Sequence, residues 1–177
     1  SYKKAIKIKP DYAGAHNNMG TALKDKDEFD AAIDSYKQAI KINPYHSEAH
    51  NNMGISLKDN GDLDAAIDSY KQALIIKPDY AEAYYSMGNA LWDKGELIAA
   101  IDGYKTAIKI KPNYEIARAT KLCRQAHVGE WGATAQDREA IPTLGTLIQY
   151  VDPFGVLPLE DAPERHRLRS ELYAKSK

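Results

Sequence analysis

The sequence repeats with a period of 34 residues, and this repeat constrains the fold more than any other feature. The stretch AAIDSYKQA at residues 31–39 recurs letter for letter at residues 65–73, and a looser copy, AAIDGYKTA, occupies residues 99–107. The stretch AHNNMG stands at residues 15–20 and again at residues 49–54. One such unit cannot bury its apolar face alone, so the repeat predicts a stacked array with a continuous core.

Each unit is predicted to contain two helices. In the first helix, His16, Met19, Gly20 and Leu23 recur at i, i+3, i+4 and i+7 and therefore share one face. Gly20 has no side chain, so a neighbouring helix can approach closely there. This helix should end near Asp27, because the later units have, at the same place, glycines that suit a left-handed stop: Gly61 and Gly95.

The second helix of each unit begins with acidic residues and ends with lysines, an order that matches the helix dipole. A proline then terminates it. The acidic residues are Asp30 and Asp64, the lysines are Lys41, Lys77 and Lys109, and the prolines are Pro10, Pro44, Pro78 and Pro112. Its buried face is predicted to be Ile33, Tyr36, Ala39 and Ile40.

The spacing His16-x2-Met19-Gly20-x2-Leu23, then Ala32-x3-Tyr36, then Pro44 resembles the tetratricopeptide repeat. The resemblance covers residues 1 to about 130, although His16 and His50 stand where tryptophan is common. It implies an all-α fold, a right-handed superhelical solenoid of helix pairs with a C-terminal helical cap. The expected units are residues 1–10 (the second helix of a truncated repeat), 11–44, 45–78 and 79–112 (whole repeats), 113–131 (a degenerate fourth) and 132–177 (a cap or link).

The fourth unit is expected to begin with a helix over 114–127 that carries apolar residues inward, namely Ile116, Ala119, Leu122, Cys123 and Ala126. Pro142 then interrupts the pattern. The segments 129–131, 151–157 and 160–166 are similar to the link before the catalytic module in bacterial relatives of O-linked N-acetylglucosamine transferase (SPINDLY-like proteins). Two interpretations stay open: the tail is only a cap, or it is a cap that leads into another domain.

The 34-residue period places equivalent first-helix residues in columns. In tetratricopeptide arrays, the first helices line the concave side, so these columns are the candidate peptide-binding residues. The four columns are Asn17, Asn51 and Tyr85; Asn18, Asn52 and Ser86; Thr21, Ile55 and Asn89; and Lys24, Lys58 and Trp92.

An asparagine amide both donates and accepts hydrogen bonds, so it can pair with the N–H and the C=O of a peptide backbone. In the O-linked N-acetylglucosamine transferase family, an asparagine column in the groove holds protein substrates in this way. Asn18 and Asn52 stand at the matching place, and Ser86 breaks the column. There, Tyr85 and Trp92 could instead hold an apolar side chain. The alternative is that the asparagines are solvated or bond between helices.

Other classes of function are not supported by the sequence. The net charge is -1, with 24 basic and 25 acidic residues, which does not favour nucleic-acid binding. No apolar run approaches the ~20 residues of a membrane helix, and no histidine or cysteine set has metal-ligand spacing. Tetratricopeptide clamps for a C-terminal carboxylate use basic residues where this chain has Glu82 and Ser86. We therefore expect a cytoplasmic chain without metal, cofactor or catalytic site.

The function predicted from the sequence is a protein-interaction module that binds an extended peptide of unknown identity in the concave groove. The resemblance of the tail further implies the substrate-selecting arm of a larger protein glycosyltransferase. The alternative is a structural scaffold that self-associates into a homo-oligomer, through its repeats or through residues 1–10.

Overall fold

The computed structural model describes residues 11–127, which contain seven helices and no strands within that range. The helices are α1 (Ala13–Lys24), α2 (Phe29–Ile42), α3 (Ser47–Asp59), α4 (Leu63–Ile76), α5 (Ala81–Asp93), α6 (Leu97–Ile110) and α7 (Glu115–His127). The first six form three pairs that stack in sequence order, as the helical-solenoid prediction required. The expectations for residues 1–10 and for the tail from 128 onward lie outside the described residues.

The turns within and between pairs follow from local sequence. Gly61 and Gly95 adopt positive φ angles of 92° and 89° after the first helices, and Asp27 takes the same role with a φ of 60°. The predicted left-handed stop is therefore present in all three pairs. The second helices each end two residues before a proline, because the residue that precedes a proline is driven to extended geometry. Those residues are Asn43, Lys77 and Lys111, with φ of -132°, -132° and -124°.

Each pair is closed by a glycine on the first helix that lies against a tyrosine ring on the second. A Cβ atom built on Gly20 would lie 2.6 Å from Cε1 of Tyr36, and one on Gly54 would lie 2.7 Å from Cε1 of Tyr70. The third pair repeats this contact between Gly88 and Tyr104, also at 2.7 Å, and all three tyrosines are fully buried. Only a residue without a side chain leaves room for the ring, so the glycine sets the distance between the two helices.

The pairs join through alanines and larger apolar residues, and the first helices lie side by side. Helix α2 packs against α1 and α3, α4 packs against α3 and α5, and α1 lies against α3 as α3 lies against α5. Ala66, Tyr70, Leu91 and Tyr104 belong to one core cluster that spans α4, α5 and α6. We call the surface formed by α1, α3 and α5 the first-helix face.

The chain divides into two compact units, residues 1–117 and 118–177. Helix α7 crosses this division. Of the residues expected to face inward, Ala119 and Leu122 are buried and Cys123 is half-buried, and the side chain of Ala126 lies outside the described residues. Ile116 is 44% exposed, so its expected inward orientation is wrong. Ile116 lies in the first turn of this helix, one position before the buried residues begin at Ala117, although it shares a helical face with the buried Ala119 and Thr120.

The substitution Gly54→Ala should lower the free energy of unfolding by about 2 kcal/mol, because the added methyl group overlaps the fully buried ring of Tyr70. The matched control is Gly14→Ala in α1, where the new Cβ would meet only the ring of Tyr12, at 3.2 Å. Tyr12 is 51% exposed and can move. The control should leave stability unchanged or raise it by up to about 1 kcal/mol, because alanine favours helix more than glycine. Denaturant titration of both variants measures the two effects, and equal effects would contradict the steric account.

Candidate functional site

The predicted column Asn18, Asn52 and Ser86 lies on the first-helix face and is partly exposed. Asn18 is exposed on α1, Asn52 is half-buried on α3, and Ser86 is half-buried on α5. Because α1, α3 and α5 lie side by side, these residues follow one another along the face. Peptide binding by this column stays a prediction.

Asn17 and Asn51 are not on the open surface, and their expected exposure is wrong. Asn17 is 3% exposed and Asn51 is 5% exposed. The side-chain nitrogen of Asn52 donates a hydrogen bond of 3.1 Å to Oδ1 of Asn17, across the boundary between the first and second pairs. This bond agrees with the alternative in which the asparagines bond between helices. Asn17 therefore orients the amide of Asn52.

The equivalent contact between the second and third pairs is incomplete. Asn51 takes the place of Asn17, and Ser86 takes the place of Asn52. Serine is shorter and has no amide nitrogen, and Oδ1 of Asn51 is buried without a hydrogen-bond partner among residues 11–127. A buried acceptor without a donor costs about 1–3 kcal/mol.

In the column Thr21, Ile55 and Asn89, two of the three residues accept a hydrogen bond from the hydroxyl group of a buried tyrosine. The hydroxyl of Tyr36 donates to Oγ1 of Thr21 at 3.3 Å, and the hydroxyl of Tyr104 donates to Oδ1 of Asn89 at 2.9 Å. Ile55 can accept nothing, and the Tyr70 hydroxyl is buried without a partner in the described part of the chain. Burial raises the pKa of Tyr70 well above its ordinary value of 10.0, and the charges of Asp59 and Asp93 add to this shift.

The lysine column is largely neutralised by a second column that the sequence prediction did not include. Nζ of Lys24 lies 3.1 Å from Oδ1 of Asp25, and Nζ of Lys58 lies 2.8 Å from Oδ1 of Asp59. The signal that could have revealed this column is the acidic residue after each of these positions at the same period. Trp92, the third member of the lysine column, is half-buried and packs against the core cluster.

Tyr85 on α5 packs against two other tyrosine rings. Its ring centroid lies 5.8 Å from that of Tyr104 and 5.4 Å from that of Tyr114, both in tilted geometry that favours aromatic pairs. Burial raises the pKa of Tyr114 to about 12, with the charge of Glu82 as a further cause. Glu82 itself accepts a 2.9 Å hydrogen bond from Lys111, which lowers the pKa of its carboxyl group.

Among residues 11–127, no group of three or more histidine, cysteine or acidic side chains is arranged to hold a metal ion. His50 bonds through Nε2 to the carbonyl of Pro44 at 3.1 Å, which is a structural role. None of the helices that the structure describes is long and apolar enough to cross a membrane.

The comparisons identify the repeat. Models of the tetratricopeptide repeat match residues 13–46, 35–68 and 81–114, and a TPR repeat model matches residues 56–95. Together these matches span more than half of the chain. A search of curated proteins finds no match for the chain.

Solved structures with the same fold include two crystal structures of MamA. One has a TM-score of 0.70 and 26% identity, over 78% of this chain and 81% of that chain. The other has a TM-score of 0.69 and 24% identity, over 89% and 85%. A third is the first TPR of Spaghetti (RPAP3) bound to the HSP90 peptide SRMEEVD, with a TM-score of 0.64 and 20% identity over 66% and 93%. The last two likenesses concern the fold alone.

The substitution Ser86→Asn should raise the free energy of unfolding by about 1 kcal/mol, because it brings an amide donor toward the unpaired Oδ1 of Asn51. The converse substitution, Asn52→Ser, should lower it by about 1–2 kcal/mol, because it removes the donor to Asn17. Thermal or denaturant unfolding measures both. If the two changes have the same sign, the hydrogen bond between repeats does not contribute as described.

Removal of the side-chain hydroxyl group should have different effects on stability at two equivalent tyrosines. Tyr104→Phe should cost about 1 kcal/mol because it breaks the bond to Asn89, whereas Tyr70→Phe should be neutral or stabilising. Because the pKa of Tyr70 is raised in the folded state, the unfolded chain loses the proton first. The contribution of Tyr70 to the free energy of unfolding is thus fully present below about pH 10, and it falls as the pH rises above that value. Unfolding curves measured from neutral to alkaline pH should show a shallower fall for Tyr70→Phe, and an unchanged slope would contradict this account.

Proposed function

Because the chain belongs to the tetratricopeptide repeat family, we propose that it is a protein-interaction module that binds an extended peptide along the first-helix face. The observation that carries the proposal is the hydrogen bond from Asn52 to Asn17. It fixes the amide of Asn52 in one orientation before any ligand arrives, so less conformational entropy is lost on binding.

The chemistry of the fixed amide suits a peptide backbone. One N–H of Asn52 is used by Asn17, and the amide retains a second N–H and the acceptor capacity of Oδ1. Asn18 offers a complete, exposed amide one repeat earlier. A peptide in extended conformation presents its own N–H and C=O groups at a regular rise, so two such amides can hold it with little dependence on its side chains.

The peptide complex of the third solved structure supports the proposal at the level of the fold. That peptide, SRMEEVD, has an acidic C-terminal half. In the present chain, Lys24 and Lys58 are each paired with a neighbouring aspartate, and Glu82 is paired with Lys111. The first-helix face therefore has no surplus of free positive charge in these places, and we propose a different class of peptide.

We also propose that the module is the substrate-selecting arm of a larger protein glycosyltransferase. The support is the likeness of residues 129–131, 151–157 and 160–166 to the link before the catalytic module in that family. The native polypeptide, detected in its own cells with an antibody against this chain, should then be far larger than 19.7 kDa. A native band at 19.7 kDa would contradict the arm while leaving the peptide-binding proposal intact.

The double substitution Asn18→Ala with Asn52→Ala should weaken binding of a peptide selected from a random displayed library about tenfold, because two amides that bond the backbone are lost. Isothermal titration calorimetry measures the affinity, and circular dichroism checks that helicity is kept. Methylation of the contacted peptide nitrogen should weaken binding as strongly, while alanine substitution of the same peptide residue should change it little. Unchanged affinity in the double variant, or failure of the library to yield any binder, would refute the groove proposal.

A further inference from the structure

The third repeat differs from the first two in the charge of one place on the first-helix face. At the end of α1 and of α3, a lysine is followed by an aspartate, and the two side chains form the ion pairs Lys24–Asp25 and Lys58–Asp59. At the end of α5, the lysine is replaced by Trp92, and the aspartate is kept as Asp93. The carboxylate of Asp93 thus loses the neighbour that neutralises its two equivalents.

No other cation compensates for this loss within the described residues 11–127. The nearest basic residue in sequence, Lys94, is engaged by Asp64 at 2.8 Å and by Glu96 at 2.9 Å. Asp93 is exposed, and no ion pair joins it to a described residue. Asp59 and Asp93 are equivalent by position, because they stand 34 residues apart and each is the last residue of its helix, α3 and α5.

Trp92 directly precedes Asp93 at the end of α5, and its indole is held by packing. Trp92 packs against the core cluster and shares a helical face with Tyr85, seven residues earlier. Tyr85 is in turn fixed by its ring contacts with Tyr104 and Tyr114. A rigid aromatic surface next to an unneutralised carboxylate attracts a cation that can also stack.

We propose that Trp92 and Asp93 form a subsite for an arginine side chain of the bound peptide. This inference rests on the proposed function and adds the class of side chain that the face selects. A guanidinium group stacks on an indole ring while its N–H groups donate to a carboxylate in fork geometry. A lysine ammonium ion is more strongly hydrated and cannot stack in this way, so it binds more weakly.

The test uses the chain with Trp131→Phe, which leaves Trp92 as the remaining one of two tryptophans. The probes are the synthetic peptide Ac-Gly-Gly-Arg-Gly-Gly-NH2 and its analogues with citrulline or lysine in place of arginine. The indole N–H signal of Trp92, followed by NMR, should shift saturably with the arginine peptide. The citrulline peptide, which is uncharged but nearly isosteric, should bind about tenfold more weakly, and the lysine peptide should lie between them.

Three variants separate the subsite from general effects. Asp93→Asn should weaken the arginine peptide about tenfold, whereas Asp59→Asn should not, because Lys58 already neutralises Asp59. Trp92→Lys recreates the ion pair of the other repeats, so it should abolish binding of the arginine peptide while the fold is kept. The backbone amide signals of α5 report on both the fold and the binding in this variant. Equal binding of the arginine and citrulline peptides, absence of any shift, or an unaffected Asp93→Asn variant would overturn the subsite.

The probe carries one side chain on a glycine backbone, so it reports on the subsite separately from the asparagine column. The double substitution Asn18→Ala with Asn52→Ala should leave its binding unchanged. If both proposals hold, this double variant should bind the library-selected peptide more weakly and the arginine probe as well as before. Failure of the probe alone refutes the arginine subsite, and failure of the library selection alone refutes the groove.

Discussion

The contact between a side-chain-free position on one helix and a buried tyrosine ring on the next is the interaction on which the structure depends. It occurs as Gly20–Tyr36, Gly54–Tyr70 and Gly88–Tyr104, with the same geometry each time. Because the ring occupies the space that a Cβ would fill, the two helices of a pair have one close packing distance. Repetition of that distance at one period keeps the three pairs alike, and this likeness allows equivalent residues of the first helices to form columns.

A hydrogen bond between repeats connects this packing to the proposed function. Asn17 is buried, yet it acts on the surface, because it bonds the amide of Asn52 on the next pair. In the first repeat, Asn17 bonds to the following repeat, whereas its neighbour Asn18 is exposed. In the third repeat, Ser86 stands where the second repeat has Asn52, and within residues 11–127 no donor bonds to Oδ1 of Asn51. The third repeat instead presents Tyr85, Trp92 and Asp93, so the face changes from amide to aromatic chemistry along its length.

Much of the fold could be predicted from the sequence because its signals are local. Helix pairs follow from periodicity, helix ends follow from proline and from the left-handed positions, and Gly20 indicated a close approach. The period also showed which residues share a column. It could not show that Asn17 is covered, because that depends on how far one pair overlaps the next. Likewise, Ile116 shares a helical face with the buried Ala119 and Thr120, so spacing alone could not show that it is exposed in the first turn of α7.

The most direct test of the central claim is a crystal structure of the chain with a library-selected peptide. The account predicts an extended peptide on the first-helix face, with its backbone within hydrogen-bond distance of the amides of Asn18 and Asn52. It also predicts that the bond between Asn52 and Asn17 is kept in the complex. A peptide bound on another surface, or one held through its side chains with Asn52 turned away, would contradict the account.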